Sequence, residues 1–180
     1  MTMHERPRDL ESDESPEETR RSSAFEWVYW LQWVLATTLG WALGALVFAT
    51  ANLEAVGLGV GVLQWLVLRQ RIRGRIWWWI VASTLGWLGG ALLVYLLRPS
   101  DPLLAFATQG VAISVAQWLV LRRWVYRADW WMIIGTLAWT VGLLSLLGPS
   151  LVGTVVGGVT GWALQMLLQN PRPLNEEPGR

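Results

Sequence analysis

The chain has 180 residues, of which 53% are hydrophobic and 15 are tryptophan, with no cysteine and a formal net charge of +1. Lack of cysteine excludes disulfides and thiolate metal sites, and so apolar a middle cannot supply the polar surface of a soluble domain. All 14 basic residues are arginines, and their clusters stand at the ends of apolar runs, where a bilayer accounts for them, so no nucleic-acid partner is expected.

Residues 1–23 hold seven acids (Glu5, Asp9, Glu11, Asp13, Glu14, Glu17, Glu18) and almost nothing apolar. Such a segment cannot bury enough surface to offset its chain entropy and is expected to be a disordered cytoplasmic tail; the functional alternative is docking to a basic partner. A cleavable signal peptide is not expected, because the leader is acidic and the next apolar run is too long. Six apolar segments follow, at about Glu26–Thr50, Leu53–Leu68, Ile76–Leu97, Leu103–Leu121, Asp129–Leu147 and Ser150–Leu168, within a transmembrane domain over 24–170. The second is short, so Arg69 is expected to snorkel. Asn52, Pro99 to Pro102 and Gly148–Pro149 supply turn chemistry between segments, and 171–180, with three prolines, reads as a short cytoplasmic tail.

Arginine sets the expected orientation. Arg20 and Arg21 precede the first segment; Arg69, Arg71, Arg73 and Arg75 join the second to the third, and Arg122, Arg123 and Arg127 the fourth to the fifth. The remaining connections carry only Arg98, so the positive-inside rule puts both termini and the Arg-rich loops on the cytoplasmic side of a bacterial inner membrane. Trp27, Trp30, Trp33, Trp65, Trp77, Trp78, Trp79, Trp118, Trp124, Trp130 and Trp131 fall at the same ends. These arginines read as topogenic and as partners of anionic lipid headgroups, acting as interchangeable charges.

The segments repeat. Odd ones align on Thr38, Thr84 and Thr136, with Trp33, Trp79 and Trp131 five residues earlier and Trp41, Trp87 and Trp139 three later. Even ones align on Gln64, Gln117 and Gln165, with Gly57, Gly110 and Gly158 seven residues earlier. A unit of about 50 residues (26–69, 76–122 and 129–170) thus occurs three times. The expected fold is an all-α integral membrane protein: six transmembrane helices as three repeated helical hairpins with pseudo-threefold symmetry. The QWLVLR cassette followed by WW and STLGW resembles a group of uncharacterised polytopic bacterial membrane proteins with such repeats. That resemblance implies no activity, cofactor or site.

Small residues four apart occur in every segment: Gly40/Gly44, Gly57/Gly61, Gly86/Gly90, Gly110/Ser114, Ala138/Gly142 and Gly157/Gly161. Lipid gives no hydrophobic drive for helix association, so these read as close helix packing within the chain, or as a dimer face. Gln64 shares a helix face with Gly57 and Gly61. Gln64, Gln117 and Gln165, with Thr38, Thr84 and Thr136, are therefore a candidate polar interior, either interhelical glue or the lining of a cavity. Trp41, Trp87, Trp139 and Trp162 lie too deep for an interfacial belt and read as core packing, or as the wall of an apolar pocket.

The one histidine, His4, is in the acidic tail, and Glu26, Glu54, Asp101 and Asp129 stand at segment ends. No intramembrane ionisable group marks a proton or ion path, no serine has a base beside it, and no metal or cofactor is expected. The sequence therefore points away from an enzyme. It points to a non-enzymatic membrane scaffold or accessory subunit with a possible membrane-protein partner. The alternative is a binder or facilitator of an apolar or uncharged small molecule, such as a lipid or pigment.

Overall fold

The computed structural model describes residues 25–51, 55–72, 74–144 and 151–169; both tails, read above as disordered or solvated, lie outside them. The described residues are all-helical in architecture: α1 (Trp27–Ala51), α2 (Val56–Leu68), α3 (Trp78–Leu97), α4 (Pro102–Leu121), α5 (Asp129–Leu144) and α6 (Val152–Leu168). Three stretches, Trp27–Thr50, Trp78–Leu97 and Pro102–Leu121, are long and apolar enough to cross a membrane, and the other three helices are shorter and apolar. Membrane association follows from these three.

Local chemistry fixes two boundaries. Pro99 disfavours the helical conformation for the residue before it, and α3 stops at Arg98, which is left-handed at φ 46° and returns its N–H to Val94 O at 3.0 Å. Asp101 then caps α4 by accepting from Leu103 N at 2.8 Å, with Pro102 in the first turn, where a missing N–H costs nothing.

Each helix packs on its neighbours in chain order, and α6 returns to α1, so the six close into a ring. Small residues let the backbones approach. A Cβ on Gly57 would fall 2.5 Å from Trp87 Cβ and 2.8 Å from Ser83 O, so only glycine fits α2 against α3 there. Gly40 and Gly44 face α2, Gly86 and Gly90 face α4, Gly110 faces α5, Gly142 faces α6, and Gly157 and Gly161 face α1. Gly61 abuts α3, Ser114 abuts Gly135 of α5, and Ala138 is buried. The small-residue pairs found in the sequence are thus used between helices of the same chain. The outward sides carry exposed leucines, among them Leu35, Leu39, Leu85, Leu92 and Leu137.

The core has two parts. One gathers Trp33, Trp79 and Trp131 with Leu68, Leu121 and Leu164, and is covered by Ile72, Ile76, Val125 and Ala128 of the Arg-bearing loops. Those loops are therefore more than charge. Arg69, Arg71, Arg75, Arg122, Arg123 and Arg127 are exposed while the apolar residues between them turn inward. The loops also touch: Gly74, at φ 131°, leaves room for the Trp124 ring, which would come within 2.5 Å of a Cβ. The second part joins Val56, Val60, Ile113, Trp139, Val152 and Val156, with Trp41 and Trp87 against it.

Candidate functional site

The polar interior is built around two layers of tryptophan. Trp33, Trp79 and Trp131, from α1, α3 and α5, meet edge to face in all three pairings, with ring centroids 6.0, 6.3 and 5.6 Å apart. All three are essentially fully buried. Eight residues further along the same helices, Trp41, Trp87 and Trp139 meet again at 5.7, 6.3 and 5.7 Å. Edge-to-face pairs add about 0.5–1.5 kcal/mol each beyond the area they bury.

An indole N–H in so buried a place needs an acceptor. Trp79 Nε1 donates to Gln64 Oε1 at 3.0 Å, and Gln64 Nε2 donates to Thr37 Oγ1 at 3.0 Å. Trp131 Nε1 donates to Gln117 Oε1 at 3.2 Å, and Gln117 Nε2 donates to Ser83 Oγ at 3.0 Å. Each glutamine sits on an even helix and ties together the two odd helices beside it. Both ends of each amide are occupied by protein.

The contacts of α6 differ from those that the sequence spacing suggested. Trp33 Nε1 donates at 3.0 Å to Thr160 Oγ1, not to Gln165. A Cβ on Gly153 would lie 3.0 Å from Trp41 Cβ, the same neighbour type that Gly57 meets in Trp87 and Gly110 in Trp139. Counting seven residues from Gly57, Gly110 and Gly153 gives Gln64, Gln117 and Thr160; four more give Leu68, Leu121 and Leu164, each 0% exposed. Gly158, which the sequence spacing put in this place, instead offers its carbonyl to Trp30 Nε1 at 3.0 Å. Gln165 therefore stands where the other hairpins have Arg69 and Arg122. There it clamps the start of the first helix, accepting from Glu26 N at 3.1 Å and donating to Glu26 O at 2.5 Å. The same shift moves Trp162 outward to 50% exposure, so it is no core residue.

The sequence does hold a difference between the two glycines. Val60, Ile113 and Val156 each lie three residues after the packing glycine and are buried, whereas Gly158 is followed at that distance by Gly161.

The hydroxyls also sit one residue away from their expected place. Thr37 and Ser83 are buried and bond the glutamines, while Thr38 and Thr84 are half-buried and donate to carbonyls of their own helices, Val34 O and Ile80 O. Thr38 also meets Thr154 at 3.1 Å, and the Thr136 carbonyl accepts from Thr140. The position matching Thr37 and Ser83 on α5 is Gly135, which has no side chain to receive an amide. A glutamine at 160 would leave its Nε2 without that acceptor. Threonine avoids this, because one hydroxyl can accept from Trp33 and donate to Val156 O at 2.6 Å. The missing bulk is supplied from across the interface. Ser83 packs on Gly61 and Thr37 on Gly157, but on α4–α5 the glycine is Gly135 and the serine is Ser114.

The buried polar side chains so described are hydroxyls and amides, neutral groups that do not exchange protons near neutral pH. Among the described residues, no group of three His, Cys, Asp or Glu could hold a metal ion. The arrangement can tie helices together by hydrogen bonds, and it presents no nucleophile with a base beside it. No protein-family model, curated protein or solved structure matches this chain.

Proposed function

We propose that the protein is a multi-pass protein of a bacterial inner membrane acting as a non-enzymatic scaffold or accessory subunit, of the repeat-bearing kind that its cassettes resemble. In this reading all six helices cross the bilayer as three repeated hairpins about a pseudo-threefold axis. Both termini and the Arg-bearing loops are cytoplasmic. The shorter helices reach across because Arg69 snorkels at the end of α2 and because a longer helix lies beside each of them.

The observation that carries the reading is the pair of tryptophan triads. Three indoles from alternate helices meet at each of two levels, so the centre of the ring is occupied by the chain's own side chains. The glutamines, which as cavity-lining groups would favour a facilitator of small uncharged molecules, are bonded at both ends. A filled, hydrogen-bonded centre favours a rigid body whose working surface is its outside.

Gentle extraction from the native membrane followed by mass spectrometry tests this. A stoichiometric co-purifying protein is the expected result; a stoichiometric pigment or other apolar molecule released only on unfolding would overturn it. For orientation, a reporter scan should place 69–75 and 122–127 in the cytoplasm and the Pro99 to Pro102 turn outside. A cytoplasmic signal from that turn would contradict the topology.

A further inference from the structure

The arginines of the loop face differ in what they touch. Arg71 pairs with Glu26 and lies over the Tyr29 ring, 5.1 Å from its centroid. Arg69 lies over Trp65 at 5.2 Å, and Arg122 lies over Trp118 at 4.9 Å. In both of these pairs the tryptophan is one turn back on the same helix, so α2 and α4 each end in a half-buried indole carrying an exposed guanidinium. At Arg69 the indole beneath the guanidinium restrains its plane and takes water from one face, leaving the N–H edge to bind a tetrahedral anion.

The two pairs differ in one atom's partner. Trp118 donates Nε1 to Asp129 Oδ1 at 2.9 Å. Trp65 Nε1 has no protein acceptor among the described residues. At Trp65 a second donor is therefore free beside the guanidinium, and at Trp118 it is spent on a carboxylate. The third hairpin has Gly161 and Gln165 in these places and offers no such pair.

We propose that Arg69 and Trp65 form a site for the phosphodiester of an anionic phospholipid, with guanidinium and indole N–H donating to its oxygens. Arg122 and Trp118 form no such site, because Asp129 holds the indole N–H and Arg122 makes a further interaction of its own. The proposal rests on the reading that this end of the ring lies at a headgroup layer, and it replaces interchangeable charges with one preferred position.

Native mass spectrometry of the full chain, released from phosphatidylcholine nanodiscs containing a minor share of phosphatidylglycerol, measures the lipid retained. One phosphatidylglycerol is expected to be held preferentially. Arg69→Gln should lower that retention about tenfold. Trp65→Phe keeps a ring under the guanidinium but removes the N–H, and should also lower it. Arg75→Gln should leave it within about twofold. Arg122→Gln should likewise leave it within about twofold. Equal losses in Arg69→Gln and in Arg75→Gln or Arg122→Gln, no loss in Trp65→Phe, or preferential retention of phosphatidylcholine would each overturn the proposal. Failure of the underlying membrane reading has a different signature: the wild-type chain would leave native membranes in alkaline carbonate without detergent.

Discussion

The first two hairpins and the third solve the same problem with different residues. In the first two, a long amide reaches both neighbours, Gln64 joining Thr37 to Trp79 and Gln117 joining Ser83 to Trp131. In the third, Thr160 reaches only Trp33 and returns its proton to its own helix. The difference traces to one side chain, the absent hydroxyl at Gly135. A buried amide needs acceptors as well as donors, so losing one acceptor makes the shorter residue the better one. What is kept in all three hairpins is the acceptor for the indole. What is given up in the third is the tie to the preceding odd helix.

The largest expected effect comes from the layer that all three hairpins share. Trp33→Ala, Trp79→Ala and Trp131→Ala each empty a fully buried site and should cost about 3–5 kcal/mol. Thermal unfolding in detergent should rank all three well above Trp162→Ala, whose ring is half exposed. Comparable losses at Trp162 would mean that α6 sits in the register read from sequence.

Next come the glutamines. Gln64→Leu and Gln117→Leu strand an indole N–H that cannot turn to water, and should each cost about 1–3 kcal/mol. That exceeds the roughly 0.6 kcal/mol average for interhelical bonds in membranes, where freed partners find new ones. Gln165→Leu frees only the Glu26 backbone groups just before the first helix and should cost less, measured in the same unfolding series. A large loss at Gln165 with little at Gln64 would reverse the comparison between hairpins.

The glycine–hydroxyl exchange sharpens it further. Gly135→Ser alone drives a Cβ to 2.6 Å from Ser114 Oγ and should cost about 1–3 kcal/mol by overpacking. Adding Ser114→Gly rebuilds the arrangement of the other two interfaces and should recover most of the loss. In that double background Thr160→Gln should become tolerated, because the amide again has a hydroxyl to meet. If the second change adds to the damage, the interfaces are not counterparts. The smallest expected effect is at Gly89, where a Cβ meets nothing within 4 Å. Gly89→Ala should be neutral or gain up to about 1 kcal/mol from helix propensity.

Much of the helical layout was legible because it rests on local rules. Asp101–Pro102 announces the start of α4 and Pro99 the end of α3; the apolar runs anticipate the helices to within a few residues. The tryptophan spacing along α1, α3 and α5 was equally legible, since one helix face repeats it. Two features were not. The register of α6 was obscured because Gly158–Gln165 and Gly153–Thr160 share the same spacing, and only packing against Trp41 and Trp33 separates them. The hydroxyls at 37 and 83 were missed in favour of their neighbours, because Thr recurs at 38, 84 and 136 while the buried position varies as Thr, Ser and Gly. Regularity in the sequence marked the half-buried face; variation marked the position that faces the core. Burial of Ile72 and Val125 among arginines likewise depends on the two loops meeting over the tryptophans.

A pair of double-mutant cycles tests most directly whether Thr160 takes the glutamine's place. Trp33→Phe removes the indole N–H, Thr160→Val removes its acceptor at nearly constant shape, and Gln165→Leu removes the amide that the sequence spacing favoured. Unfolding free energies should give a coupling of about 1 kcal/mol between Trp33 and Thr160 and close to zero between Trp33 and Gln165. Coupling to Gln165, with none to Thr160, would contradict the shifted register and the equivalence of the three hairpins built on it.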